Sequence, residues 1–175
     1  MELWDLYDKN RKPLGRTVMR GEKLEEGEYH VIVNVLSVNR EGKILVTKRH
    51  PYKNYGGMWE ITGGAAIKGE TSAEAASREL FEETGLNVKP DDLSYSGTII
   101  RARTRSIVDC FLYNGDFSET DIVLQPGETV DFKIVSPPQL KQMTDKRQFI
   151  YYTYLRIKTM FPDFWDQYAV DNSRL

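Results

Sequence analysis

The sequence of this 175-residue chain contains a single cysteine, Cys110. No disulfide can form within the chain, and that composition suits a reducing compartment, so a cytoplasmic protein is expected. Its neighbours in SIVDCFLY are mostly apolar, which reads as a small buried hydrophobe rather than a reactive thiol. No apolar run approaches the ~18 residues of a membrane span, so no membrane partner is expected. The first residues, MELWDLYDKN, carry acids and lack the apolar stretch of a secretory signal. Internal repeats and low-complexity tracts are absent as well. A net charge of −2 excludes a general attraction to nucleic acid or anionic surfaces. Any phosphate chemistry must come from local cations or from a metal.

What is present is an ordinary globular composition, 40% hydrophobic and 29% charged. A chain of this size buries roughly 70% of its unfolded surface, enough for one substantial core. One α/β domain over residues 1–175 is expected, with strands outnumbering helices and mostly antiparallel pairing. It starts with a hairpin at about residues 1–20, turning near Pro13 and Gly15. HVIVNVLSV and KILVTKRH read as antiparallel strands around the turn NREG. PYKNYGGMW is an aromatic and glycine-rich loop leading into the short extended WEIT. YSGTIIRA, SIVDCFLY and TVDFKIVS are further strands. PPQLKQM opens a short helix, and RQFIYYTYLRIKTM is a longer amphipathic one, more core than partner surface. From about residue 146 the chain forms a C-terminal helix and tail, with Phe164, Trp165 and Tyr168 packing back on the body.

Between WEIT and YSGTIIRA the period changes. Thr71 and Glu74 make a capping box, SAEAASRELFEET runs as a helix, and Gly85 is its left-handed stop. Ala73, Ala76 and Leu80, with Phe81 at the margin, form the buried stripe, and the glutamates fall mainly on the other side. Glu79, Glu82 and Glu83 then crowd one helix end, where like charges repel. A solvated acidic face is the plain alternative. Yet Gly63 and Gly64 allow a close backbone approach just before the helix, and carboxylate oxygens suit Mg²⁺ or Mn²⁺. A cation held between Glu82 and Glu83 would remove the repulsion. Glu79 would complete its shell or accept a proton from water, while Arg78 points away and pairs with Glu70.

The segment GAAIKGETSAEAASRELFEETGL resembles the Nudix box. Gly64, Glu70, Arg78, Glu79, Leu80, Glu82, Glu83, Gly85 and Leu86 occupy all its fixed positions. The resemblance implies an α/β/α sandwich, a Mg²⁺ or Mn²⁺ cofactor, and hydrolysis of a small-molecule diphosphate such as a nucleoside diphosphate derivative. By position, Glu82, Glu83 and the Gly64 carbonyl resemble metal ligands, Glu79 a ligand or general base, and Glu70 with Arg78 the supporting salt bridge. Asp109 and Glu128 are candidates for a further acid outside the box. Dimerisation is common in the family, so a homodimer is compatible with the resemblance, although no residue here marks an interface.

A second resemblance runs outside the box. ELWDLYDKNRKPLGR and HVIVNVLSVNREGKILVTKRHPYKNYGGMWEITGG look like the branch related to isopentenyl-diphosphate isomerase. That chemistry uses a cysteine where this chain has Gly63 and a metal-binding histidine where it has Ala65. His30 matches another ligand histidine, but a histidine opening a strand is more often structural. The isomerase is therefore disfavoured, and so is a non-catalytic ligand-binding module, given the intact box. A nucleic-acid-processing role finds little support in the charge.

Substrate contacts are less determined. Arg101, Arg103 and Arg105 alternate, so on a strand they share a face that would hold phosphates or simply protect an edge. Lys48 and Arg49 end a strand near the aromatic loop and are open to the same two uses. Tyr52, Tyr55 and Trp59 would stack on a base or enclose an isoprenoid, with a core role the better expectation for Trp59.

Overall fold

A computed structural model describes residues 2–165. Among the described residues, nine strands and three α-helices form three layers, the α/β/α sandwich expected from the box. The central strand β3 (His30–Asn39) pairs in parallel with β8 (Ser106–Gly115) along its length, and β8 pairs antiparallel with β7 (Ser94–Arg101). On its other side β3 meets β6 (Thr62–Ala65), with Asn34 opposite Gly63 and Val33 opposite Gly64. The hairpin partner β4 (Ile44–Arg49) is in ladder register with β3 at Val38 and Ile44, then diverges to pair with β5 (Trp59–Glu60) and β9 (Thr129–Val135). This splay opens the space above β6.

Strand alternation divides the core. Val31, Val33 and Val35 face α1 (Ser72–Thr84), against Ala75, Ala76 and Leu80. Leu36 and Val38, with Val108 and Cys110, face α2 (Pro137–Asp145) and α3 (Tyr151–Met160), against Leu140, Met143 and Ile157. Cys110 is buried there, and its thiol is pushed up to about 11 by burial. Phe164 and Trp165 pack on the same cluster, whereas Tyr168 lies outside the described residues. Among the described residues, no helix is long and apolar enough to cross a membrane.

Four expectations need correction. The hairpin of β1 (Leu3–Tyr7) and β2 (Pro13–Met19) turns at residues 8–12, where the Asp8 carboxylate accepts the Asn10 and Lys12 N–H groups and Arg11 takes a φ of 65°. Pro13 and Gly15 lie in β2 itself. The last helix begins at Tyr151, not Arg147, because Phe149 bridges to Trp59 and the Trp59 N–H and carbonyl are satisfied by residues 148 and 150. Strand β7 stops at Arg101, so Arg103 and Arg105 sit in a turn and share no strand face. On α1, Phe81 is 54% exposed, while Glu83 takes a place on the buried stripe with Ala76 and Leu80.

Candidate active site

The helix carrying the carboxylates is set at both ends by its own residues. Thr71 and Glu74 close the capping box, and Gly85 ends the helix with a φ of 77°. Before it, the loop from Ala65 to Glu70 is braced twice. Glu70 accepts the Arg78 Nε–H at 2.7 Å and the Ile67 N–H at 3.0 Å. The first hairpin supplies the second brace, with Lys68 N–H donating to the Leu3 carbonyl at 2.7 Å and Gly69 N–H to the Asp5 carboxylate at 2.8 Å.

Arg78 does not point away from the glutamates. Its Nη1 donates to Glu79 at 2.8 Å and Glu82 at 3.0 Å, and its Nη2 to the Ala65 carbonyl at 3.0 Å. One guanidinium has five donors in a rigid fork, so it spans Glu70 and two box carboxylates at once. Arg78 is thus ion-paired to Glu70 and, beyond it, to Glu79 and Glu82.

Glu83 is 3% exposed, and its Oε2 is buried without a hydrogen-bond partner. Burial raises its pKa well above the ordinary carboxylate range, and Glu60 and Glu79 push it further. Glu79 is also raised, by burial first, against the pull of Arg78. Gly64 lies directly beneath Glu79, and a Cβ there would overlap its carboxylate. These features fit a divalent cation: an unsatisfied buried oxygen, clustered carboxylates that repel, and a backbone approach only glycine permits. Among the described residues no three acidic, histidine or cysteine side chains already enclose a common point. The donors are present, but Glu79 and Glu82 are held by Arg78 instead.

These groups line a cavity of about 570 Å³. Of the other expected site residues, Arg49, Tyr55, Arg101 and Glu128 also line it, and Arg103 does not. Arg49 is ion-paired to Glu60, and Lys53 to Glu128. Asp109 is fully buried and does not line the cavity; Arg11 donates to it at 2.7 and 2.5 Å and Thr98 at 2.5 Å. Arg105 donates to the Leu24 carbonyl. Lys48 lies over the Trp59 ring, and Trp59 is buried as expected. Tyr52 is 94% exposed and does not line this cavity. His30 reaches the cavity wall, stacked on Trp4 with ring centroids 4.2 Å apart. Burial holds its pKa down at about 4, so it is neutral near pH 7.

Sequence reasoning missed Glu60, Lys53, Asn34 and Arg156, all on the cavity wall. A signal existed for Glu60, a lone acid between Trp59 and Ile61 in a short strand that otherwise buries its side chains. Burial raises the Glu60 pKa despite Arg49. A second cavity of about 460 Å³ adjoins the first, sharing Tyr55, Ile150 and Tyr152 with it and extending over Met58, Phe149 and Tyr151.

A NUDIX domain model matches residues 28–156. An uncharacterized Nudix hydrolase of Listeria monocytogenes is 36% identical over 162 residues, which is 89% of this chain and 92% of that one. The isopentenyl-diphosphate Delta-isomerase of Pectobacterium atrosepticum is 28% identical over 175 residues, covering 97% of this chain and 96% of that one. Among solved structures, DR0079 of Deinococcus radiodurans shares the fold with a TM-score of 0.71 at 20% identity, over 91% of this chain and 99% of that one. With its box intact and its relatives matched along most of their length, the chain belongs to the Nudix family of hydrolases.

Proposed function

We propose that this enzyme, by its family a hydrolase of diphosphate bonds, cleaves a small organic diphosphate such as a nucleoside diphosphate derivative, with Mg²⁺ or Mn²⁺ as cofactor. The observation that carries this reading is the buried Glu83 oxygen without a partner, beside Glu79 and Gly64 in a cavity large enough for a diphosphate. Glu82, Glu83 and the Gly64 carbonyl would hold the cation. When bound, it would neutralise charge on the diphosphate and acidify water.

The residues of the chain do the rest. Glu79, whose carboxyl burial makes more basic, is placed to take a proton from water. Glu128, ion-paired to Lys53, also lines the cavity and is the candidate for a further acid outside the box. Arg78 keeps the box loop closed through Glu70, so the carboxylates meet the substrate already oriented. The adjoining cavity, walled by Tyr55, Met58, Phe149 and Tyr151, is where the organic group would lie.

The isomerase is the weaker alternative despite the full-length similarity. A Cβ on Gly63 would overlap the Asn34 amide and crowd the Val33 carbonyl at 2.8 Å, so this chain leaves no room for a thiol at that position.

The test is turnover. The protein with Mg²⁺ is given nucleoside diphosphate sugars, dinucleoside polyphosphates, nucleoside triphosphates and isopentenyl diphosphate, with hydrolysis products and isomer ratio both measured. Metal-dependent hydrolysis that falls in Glu82→Gln and Glu83→Gln is the expected result. No turnover of any compound would favour a binding module, and a changed isomer ratio without phosphate release would favour the isomerase.

A further inference from the structure

The charge pairing inside the main cavity is uneven. Arg20, Arg49 and Lys53 line it, and each is ion-paired, to Glu2, Glu60 and Glu128. Arg101 and Arg156 line it too, and among the described residues neither pairs with a carboxylate. Burial lowers the Arg156 pKa and Arg101 adds like-charge repulsion, against a weaker pull from Cys110 and from Glu60, which is itself ion-paired to Arg49. Two partly buried guanidiniums in one cavity without a directly paired carboxylate are costly unless something anionic joins them.

Arg156 is also aimed. It comes from α3, and its Nη1 donates to the Asn34 Oδ1 on β3. The Asn34 amide in turn occupies the space above Gly63, which any Cβ would fill. Successive residues of β6 face opposite sides. Gly64 therefore admits Glu79 from α1, and Gly63 admits the Asn34–Arg156 pair from the α3 side. One bond to Asn34 leaves most donors of the guanidinium fork unused.

We propose that Arg156, oriented by Asn34 over Gly63, forms with Arg101 an anion subsite that takes the non-bridging oxygens of a phosphoryl group. This rests on the hydrolase reading for its substrate: one phosphoryl of the diphosphate lies at the glutamates and the other is clamped from α3 and the end of β7. Guanidinium forks match phosphate oxygens bidentately, which makes the clamp orienting as well as attractive.

Binding without turnover tests it. Inorganic pyrophosphate is titrated into the protein in EDTA at low ionic strength, by calorimetry, with folding checked by circular dichroism. Arg156→Ala and Arg101→Ala should each weaken binding about 10-fold or more. Asn34→Leu should also weaken it, although both cations remain, and Arg156→Lys should fall between Ala and the parent. Arg103→Ala removes an equal charge from the neighbouring turn, outside the cavity, and should change little. The two arginine variants sit on different elements, so misfolding of one leaves the other informative. The subsite is overturned if Arg156→Ala and Arg101→Ala bind like Arg103→Ala, or if the parent protein does not bind pyrophosphate. A protein that binds through Arg156 yet hydrolyses nothing would instead sink the hydrolase reading and leave the subsite standing.

Discussion

Gly64 and Glu79 are built against each other: the glycine has no side chain, and the glutamate carboxylate fills the position a Cβ would take. Gly64→Ala must therefore push Glu79 off its place or shift β6 away from α1. Hydrolysis should drop at least ~10-fold, since displacement of a reacting group by a fraction of an ångström is costly. Steady-state kinetics beside a thermal melt will separate this from unfolding. A variant with unchanged kcat would show that Glu79 needs no such seat.

Glu83 carries a buried carboxylate whose second oxygen has no partner. Glu83→Gln keeps the shape and removes a titration, because burial makes the folded chain hold the Glu83 proton at a pH where the unfolded chain releases it. Without metal, the variant should be more stable than the parent near pH 7 by about 1 kcal/mol or more, since a raised folded pKa costs stability as pH rises, at about 1.4 kcal/mol per pH unit. Activity should meanwhile fall ~100-fold, as when a preorganised electrostatic group is deleted. Chemical denaturation in EDTA checks the first half. Equal destabilisation with and without Mg²⁺ would argue for a purely structural glutamate.

Arg11 and Asp109 tie the first hairpin to β8, with Thr98 as third member. Removing Arg11 leaves a buried carboxylate with only the threonine hydroxyl. Because Arg11 is 40% exposed, the cost is discounted from the buried-pair range to about 2 kcal/mol for Arg11→Ala. Asp109→Asn should cost less. Neither should alter the pH dependence of kcat, since Asp109 faces away from the cavity. A shifted profile in Asp109→Asn would return it to the list of site acids.

His30 titrates at about 4 in the fold and near 6.5 when unfolded, because burial disfavours its charged form. Above pH 6.5 both states are neutral. Between 6.5 and 4 the unfolded chain binds the proton and the folded one does not, so stability is lost as pH falls, by up to ~3 kcal/mol. His30→Phe keeps the ring against Trp4 and removes the titration. Its stability should be flatter across that window in urea melts at stepped pH. An unchanged slope would assign the acid sensitivity to other groups.

Much of the carboxylate helix was legible before any coordinates. Thr71, Glu74 and Gly85 act through neighbours three or four residues away, so the capping box and the stop are local facts. The Glu70–Arg78 pair was legible for a similar reason, since Glu70 lies in the loop just before the helix and Arg78 in its second turn. The depth of Glu83 was not, because a glutamate beside Glu82 gives no local sign of facing the core. Nor was the late start of α3, where pairing of residues 148–150 with Trp59 outweighs helix propensity.

The chain's amino-acid order alone determined the caps of α1 and the spacing of glutamates on that helix, since these follow from contacts within a turn or two. Tertiary structure alone decided what surrounds them. Glu60, Lys53 and Arg156 reach the cavity from β5, a loop and α3, separated in sequence by as much as 103 positions between Lys53 and Arg156 (156 − 53). Which cations find a carboxylate and which are left for a substrate depends on how the strands splay and the helices pack. Local sequence carries no record of that geometry, because charge pairing is settled by distance in space.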